Sequence, residues 1–217
     1  GQQFVRVVDY KSGAKPFRLA DIVNGLNLQM FLYLFNVCAD GSNPYAGVPA
    51  GVLYMHAARS VMTVETKSSA EKDIAGQEDK AFGMNGIVIT NPDCDIPAAM
   101  EHDLAGKYIP VRLKKSGVGG SLASLEQLGL LQRKIEALVA DMGNALQNGQ
   151  IGQHPVQAKD HDKTCEYCDF ASVCAFKKSV TPRTYDDQTD SAVLAELEKE
   201  GESHASVSYT HLRAHET

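Results

Sequence analysis

The sequence predicts an α/β protein, a mixed sheet flanked by helices. Three observations carry that expectation: short runs rich in β-branched residues such as FVRVVDYK and NGIVIT, a helically spaced apolar stretch after Pro16, and a long amphipathic run after Ser124.

Taken in order, Phe4 to Lys11 reads as a strand because Val5, Val7 and Val8 favour extended backbone, and its near-continuous apolar run predicts burial on both faces. After Pro16, the segment RLADIVNGLNLQMFLYLFNVC has helical spacing through Ile22, Leu26, Met30, Tyr33 and Leu34, with Gly25 weakening the helix locally. GVLYMH and SVMTV read as the second and third strands, and the polar stretch from Lys67 to Phe82 as a loop or short helix. NGIVIT and KYIPVRL are further extended segments, followed by the turn-like KKSGVGG. Ser121 or Ser124 can cap a helix carrying Leu125, Leu128, Leu131, Ile135, Leu138, Val139, Met142 and Leu146, which Gly149 closes.

Bulk properties narrow the class. The 217 residues can build one sizeable core or two small ones, and the apolar runs fall far short of the roughly 20 residues a membrane-spanning helix needs. With no signal-like N-terminus either, the expectation is a cytoplasmic protein with no membrane partner. The net charge of -6 arises entirely between Thr184 and Ser203, where Asp186, Asp187, Asp190, Glu196, Glu198, Glu200 and Glu202 face the single base Lys199. The remainder is balanced, so the total charge does not argue against a nucleic-acid partner.

Two constellations carry chemistry. In a strand, Asp9 and Lys11 share a face and Tyr10 takes the other; a carboxylate is a hard oxygen ligand, and a neighbouring ammonium can hold an attacking water or offset charge on a phosphoryl oxygen. A salt-bridged pair at a strand end is the plain alternative. Gln29 and Tyr33, four apart on the following helix, share a face and put two polar tips on an apolar helix. The second constellation is CEYCDFASVC, with Cys165, Cys168 and Cys174 within ten residues. Three thiolates so close call for a metal, and His161 could complete a Cys3His site for Zn²⁺. Cys38 and Cys94 stand alone and read as small hydrophobes.

VVDYKSG followed by LNLQMFLYL resembles the DxK strand and QxxxY helix of RecB-type nucleases, a branch of the PD-(D/E)XK superfamily. The resemblance implies a restriction-endonuclease-like fold, incomplete at the N-terminus, and Mg²⁺-dependent hydrolysis of DNA. By motif, Asp9 and the backbone carbonyl of Tyr10 would bind Mg²⁺, Lys11 would assist hydrolysis, and Gln29 and Tyr33 would support the site. The cysteine spacing is similar to that of family members with an iron-sulfur staple, which makes Cys165, Cys168 and Cys174 expected ligands of a 4Fe-4S cluster. PAGVLYM, MNGIVI and GKYIPVRLKK extend the likeness towards AddB-type subunits of helicase/deoxyribonucleases, over most of residues 4–180. Such subunits imply an AddA-like helicase-nuclease partner and a role in processing double-strand breaks for recombinational repair. A Cas4-like exonuclease shares the same motifs.

The resemblance also implies parts expected before residue 1: a hairpin strand with a further metal-binding acid, an earlier helix with a His or Glu, and the fourth cluster cysteine. The chain is therefore expected to be a C-terminal fragment, weakly active or inactive alone, and to hold its cluster poorly. The expected organisation is a partial nuclease domain over 1–180 that includes the cysteines, an acidic tail over 181–206, and a non-native tail over 207–217 resembling translated adapter sequence. The alternative from another class is a non-catalytic metal-stapled DNA-binding or interaction module, with Asp9 and Lys11 as a surface pair.

Overall fold

A computed structural model describes residues 2–13, 15–39, 41–57, 82–159, 165, 168–174 and 182–213, with side chains described as far as Glu202. In chain order the elements are β1 (Phe4–Lys11), α1 (Leu19–Val23), α2 (Gln29–Ala39), β2 (Val48–His56), β3 (Met84–Thr90), α3 (Ile96–Met100), β4 (Val111–Lys114), β5 (Gly117–Gly120), β6 (Leu122–Ser124), α4 (Leu125–Gln147), β7 (Val156–Ala158), α5 (Ala171–Cys174), β8 (Arg183–Tyr185) and α6 (Asp190–Arg213). They fall into two compact units, Gly1–Phe17 with Gln29–Gly129 and Arg18–Leu28 with Leu130–Thr217. Among the described residues no helix is long and apolar enough to cross a membrane.

The first unit is built on a mixed sheet in the order β1-β2-β3-β6. β1 and β2 run parallel, β2 and β3 antiparallel, and β3 and β6 parallel. A parallel pair needs a crossover, and α2 packs on both β1 and β2. Its Met30, Phe31 and Leu34 are buried, and the Phe17 ring lies 6.2 Å from Phe31 and 6.3 Å from Tyr54. A further cluster joins Leu53, Val88, Ile96, Leu104, Ile109 and Val111. The central strands β2 and β3 are thus apolar on both faces.

β1 corrects the expectation of two-sided burial. None of its residues is buried, Phe4 is 38% exposed and Tyr10 67%. Among the described strands it sits at the sheet edge, with β2 as its neighbour, so a valine-rich run signals extended backbone here rather than a buried position.

The single helix expected after Pro16 is two. The Gly25 N–H donates to the Ile22 carbonyl at 3.0 Å and the Leu26 N–H to the Asp21 carbonyl at 2.9 Å, a Schellman stop with Gly25 at φ +88°. Gly25 therefore ends α1 instead of weakening a longer helix. Of KYIPVRL only Val111 to Leu113 is strand, β4 continuing to Lys114, because the Lys107, Tyr108 and Ile109 amides bind the buried Glu101 carboxylate. KKSGVGG is a turn followed by β5, which pairs antiparallel with β4. SVMTV, and the 67–82 stretch apart from Phe82, lie outside the described residues.

In the second unit, Asp21 of α1 is 4% exposed and collects donors from near and far in the sequence. Its Oδ1 accepts the Tyr185 hydroxyl at 2.6 Å, and its Oδ2 accepts Arg18 Nη2 and Asn27 Nδ2, each at 3.2 Å. Burial and the Asp21 carboxylate push the Tyr185 hydroxyl pKa far above its ordinary value. The Leu19 N–H at the start of α1 donates to Asp190 Oδ1 at 2.8 Å. Residues 181–206, expected as an acidic tail, carry β8, which pairs with β7, and much of α6, which buries Val193, Leu194 and Leu197. α6 runs on to Arg213, into the stretch set aside above as non-native. α4 begins and ends as expected, but Val139, Met142 and Leu146 are exposed, so its apolar face is covered only over the first half.

Candidate active site and nucleic-acid interface

Strand alternation brings Asp9 and Lys11 to one face at the end of β1, where Lys11 Nζ lies 2.5 Å from Asp9 Oδ2 and both side chains are 30% exposed. The hydrogen bond to the Asp9 carboxylate holds the Lys11 ammonium pKa above the ordinary lysine value, against a smaller opposing effect of burial. Asp9 pairs in register with Tyr54, and Lys11 with His56. Lys11 Nζ and Lys15 Nζ each lie 5.6 Å from the centroid of the buried Tyr54 ring, so one aromatic ring holds two cations.

Beyond this pair opens a cleft of about 640 Å³. Lys11, Lys15, His56, Arg112 and Lys114 supply its polar wall, with Asn85, and no carboxylate is among the described residues lining it. Arg112 and Lys114 alternate along β4, opposite Gly119 and Gly117 of β5. The floor includes Met84, Ile109 and Pro110.

Gln29 and Tyr33 meet each other: Gln29 Nε2 donates to Tyr33 Oη at 2.7 Å. Both are exposed on a flank of α2, away from Met30, Phe31 and Leu34. Among the described residues no hydrogen bond joins them to Asp9 or Lys11, and they do not line the cleft. The structure thus forms the two expected pairs and brings Lys11 to the cleft.

The fit to a divalent ion is partial. The Lys11 carbonyl accepts the Ala57 N–H at 2.8 Å, so the Tyr10 carbonyl, one residue earlier, is directed to the open side of β1. Asp9 and that carbonyl are hard oxygen donors, the kind Mg²⁺ takes, but they fill only two of its six positions. Among the described residues no group of three or more His, Cys, Asp or Glu side chains converges on a common point. That holds for the cysteines as well: Cys165, Cys168 and Cys174 are free thiols, Cys168 is exposed, and the described links are backbone ones, from the Cys168 N–H to the Cys165 carbonyl at 3.4 Å and from Gln153 Nε2 to the Cys174 carbonyl at 3.1 Å. Among the described residues these three thiols do not by themselves make a cluster site. His161 lies outside the described residues.

Sequence reasoning missed Lys15, His56, Arg112 and Lys114. The alternation of Arg112 and Lys114 in PVRLKK was the available signal. What hid their role is separation along the chain, since about a hundred residues lie between β1 and β4.

The PD-(D/E)XK nuclease superfamily profile matches residues 1–175. The chain belongs to that superfamily. Its mixed sheet flanked by helices agrees with the fold expected of that superfamily, and the DxK pair stands at the end of β1. Curated relatives agree: the chain is 31% identical over 210 residues to the B subunit of the ATP-dependent helicase/deoxyribonuclease of Bacillus thuringiensis (strain Al Hakam), covering 91% of this chain and 18% of that protein. It is similar to the same-named subunits of Ruminiclostridium cellulolyticum (32% over 182 residues; 81% and 16% covered) and Clostridium kluyveri (27% over 205; 90% and 18%). This nuclease-superfamily chain therefore spans about a fifth of the length of the relatives it matches.

Proposed function

We propose that the chain is the nuclease part of a longer helicase/deoxyribonuclease subunit and hydrolyses DNA phosphodiesters with Mg²⁺. The observation that carries this reading is the Asp9–Lys11 pair at the end of β1, beside a cleft walled by Lys11, Lys15, Arg112 and Lys114. Asp9 and the Tyr10 carbonyl would hold the ion, which supplies Lewis-acid polarisation and an activated water. In hydrolysis the water oxygen forms a new P–O bond as the bond to the leaving sugar oxygen breaks. The Lys11 ammonium offsets charge gathering on the phosphoryl oxygens, and the cleft cations hold the strand. Gln29 and Tyr33 brace each other as a supporting pair. One carboxylate and one carbonyl are few ligands for Mg²⁺, so the 217-residue chain alone should cleave weakly.

The relatives are B subunits of an ATP-dependent helicase/deoxyribonuclease, which supports a place beside another subunit in a DNA-degrading complex. The cytoplasmic setting, the AddA-like helicase-nuclease partner and action on double-strand breaks ahead of recombinational repair belong to this proposal through the motif resemblance. Cys165, Cys168 and Cys174 would ligate a 4Fe-4S cluster with one cysteine supplied from upstream. The half-buried, mutually satisfied Asp9–Lys11 pair favours a second reading, a non-catalytic DNA-binding module with Zn²⁺ in place of the cluster.

One experiment separates them. An upstream-extended protein is purified without oxygen, assayed for iron, sulfide and zinc, and tested for Mg²⁺-dependent cleavage of linear DNA beside its Asp9→Ala and Lys11→Ala variants. Iron with sulfide, and cleavage lost in both variants, are the expected results. Cleavage indifferent to Asp9→Ala overturns the site; zinc alone without cleavage favours the second reading.

A further inference from the structure

The β4–β5 hairpin presents its two cations in an ordered way. Arg112 and Lys114 are alternate residues of one strand, so both lie on one face about 7 Å apart along it. That distance is comparable to the spacing of successive phosphates on one nucleic-acid strand. Their cross-strand partners are Gly119 and Gly117, which carry no side chains to compete for the space. The Lys114 stem lies against Gly119, with its Cδ, Cε and Nζ 3.3–3.4 Å from where a Cβ would stand, and Arg112 lies against Gly106 in the same manner at 3.2–3.3 Å. The residue between them, Leu113, pairs with Val118 on the opposite face.

Among the described residues neither Arg112 nor Lys114 has an ion-pair partner, although both line a cleft that also holds Lys11 and Lys15. Like charges gathered in one cleft repel each other, and an anionic ligand beside Arg112 and Lys114 relieves that repulsion. The side chains are exposed and ranged along an edge, which suits a linear polyanion better than a small enclosed one.

We propose that the β4–β5 hairpin is a strand-gripping arm: Arg112 and Lys114, with Lys15 across the cleft, bind successive phosphates of one DNA strand and set its register on the Asp9–Lys11 site. The choice of DNA and of the scissile position rests on the reading proposed above; the cation arrangement does not. The contacts are to the backbone, so the arm positions the strand without reading its bases. Arg112 and Lys114 are positioning residues.

Binding of the 217-residue chain to a fluorescein-labelled 20-nucleotide single strand is followed by anisotropy in EDTA, across a range of NaCl concentrations. Each phosphate contact on a single strand adds about 0.7 to the salt slope, so Arg112→Gln with Lys114→Gln should flatten it by about 1.4 and weaken binding at least tenfold at low salt. Lys107→Gln, a charge change at a residue that does not line the cleft, should leave slope and affinity close to the parent's, and circular dichroism melts should coincide for all forms. An unaltered slope in the double variant, an equal effect from Lys107→Gln, or no binding by the parent overturns the arm. Cleavage loss on Asp9→Ala in the longer protein would still stand, which keeps failure of the arm distinct from failure of the nuclease reading.

Discussion

Glu101 and Ile109 are joined across eight residues: the Glu101 carboxylate accepts the Ile109 backbone N–H at 3.0 Å, together with the Lys107 and Tyr108 amides at 2.8 and 3.0 Å. This clasp shapes the loop that delivers Gly106, Ile109 and Pro110 to the cleft. Burial opposes the charge, but the backbone donors outweigh it and hold the Glu101 pKa below its usual 4.5.

The sign of its pH dependence follows. A depressed folded pKa contributes stability that is complete above the unfolded value and is lost as pH falls through the folded one. Urea denaturation should therefore show a loss below about pH 4.5 that is missing in Glu101→Gln. Glu101→Ala leaves three amides without their acceptor and should cost about 3 kcal/mol at neutral pH.

Two glycines should respond in opposite directions to alanine. At Gly86, φ +151°, an added Cβ would stand 2.1 Å from the Val52 carbonyl oxygen, because β2 and β3 approach closely there. Gly86→Ala should destabilise by about 3 kcal/mol or more. Gly143, inside α4, has nothing within 4 Å of its Cβ position, and Gly143→Ala should stabilise by about 0.5–1 kcal/mol. Thermal melts of the two variants check both signs.

α4 starts on a reciprocal cap. Ser124 Oγ accepts the Gln127 N–H at 3.1 Å, and Gln127 Oε1 accepts the Ser124 N–H at 2.8 Å. Ser124→Ala should cost about 1 kcal/mol in chemical denaturation, and Ser124→Asp should recover most of it.

At the proposed site, Asp9→Asn and Lys11→Ala should each reduce Mg²⁺-dependent cleavage by the longer protein at least about a hundredfold. Because the pair is solvent-accessible, melting temperatures should stay close to the parent's. A large drop in melting temperature would instead assign the pair a structural role.

Much of the site's local chemistry was legible. Asp9 and Lys11 meet because strand geometry alternates side chains, and Gln29 reaches Tyr33 because helix geometry aligns residues four apart. β2, β3 and both ends of α4 were readable for the same reason, the ends through Ser124 and through Gly149 at φ +69°. The break at Gly25 was not, since a helix-ending glycine and a tolerated one look alike in sequence. There the Schellman bonds accompany an Asp21 carboxylate held by Tyr185, 164 residues away.

By itself, the sequence determined which stretches extend or coil, which polar residues pair within them, and the nuclease motif those pairs spell. Only the tertiary structure decided that β1 lies at an edge among the described strands, that the acidic segment folds as β8 and α6, and that Arg112 and Lys114 share a cleft with Lys11. The physical reason is range: backbone geometry sets neighbours two to four residues apart, whereas burial and charge assembly depend on which distant strands and loops come together.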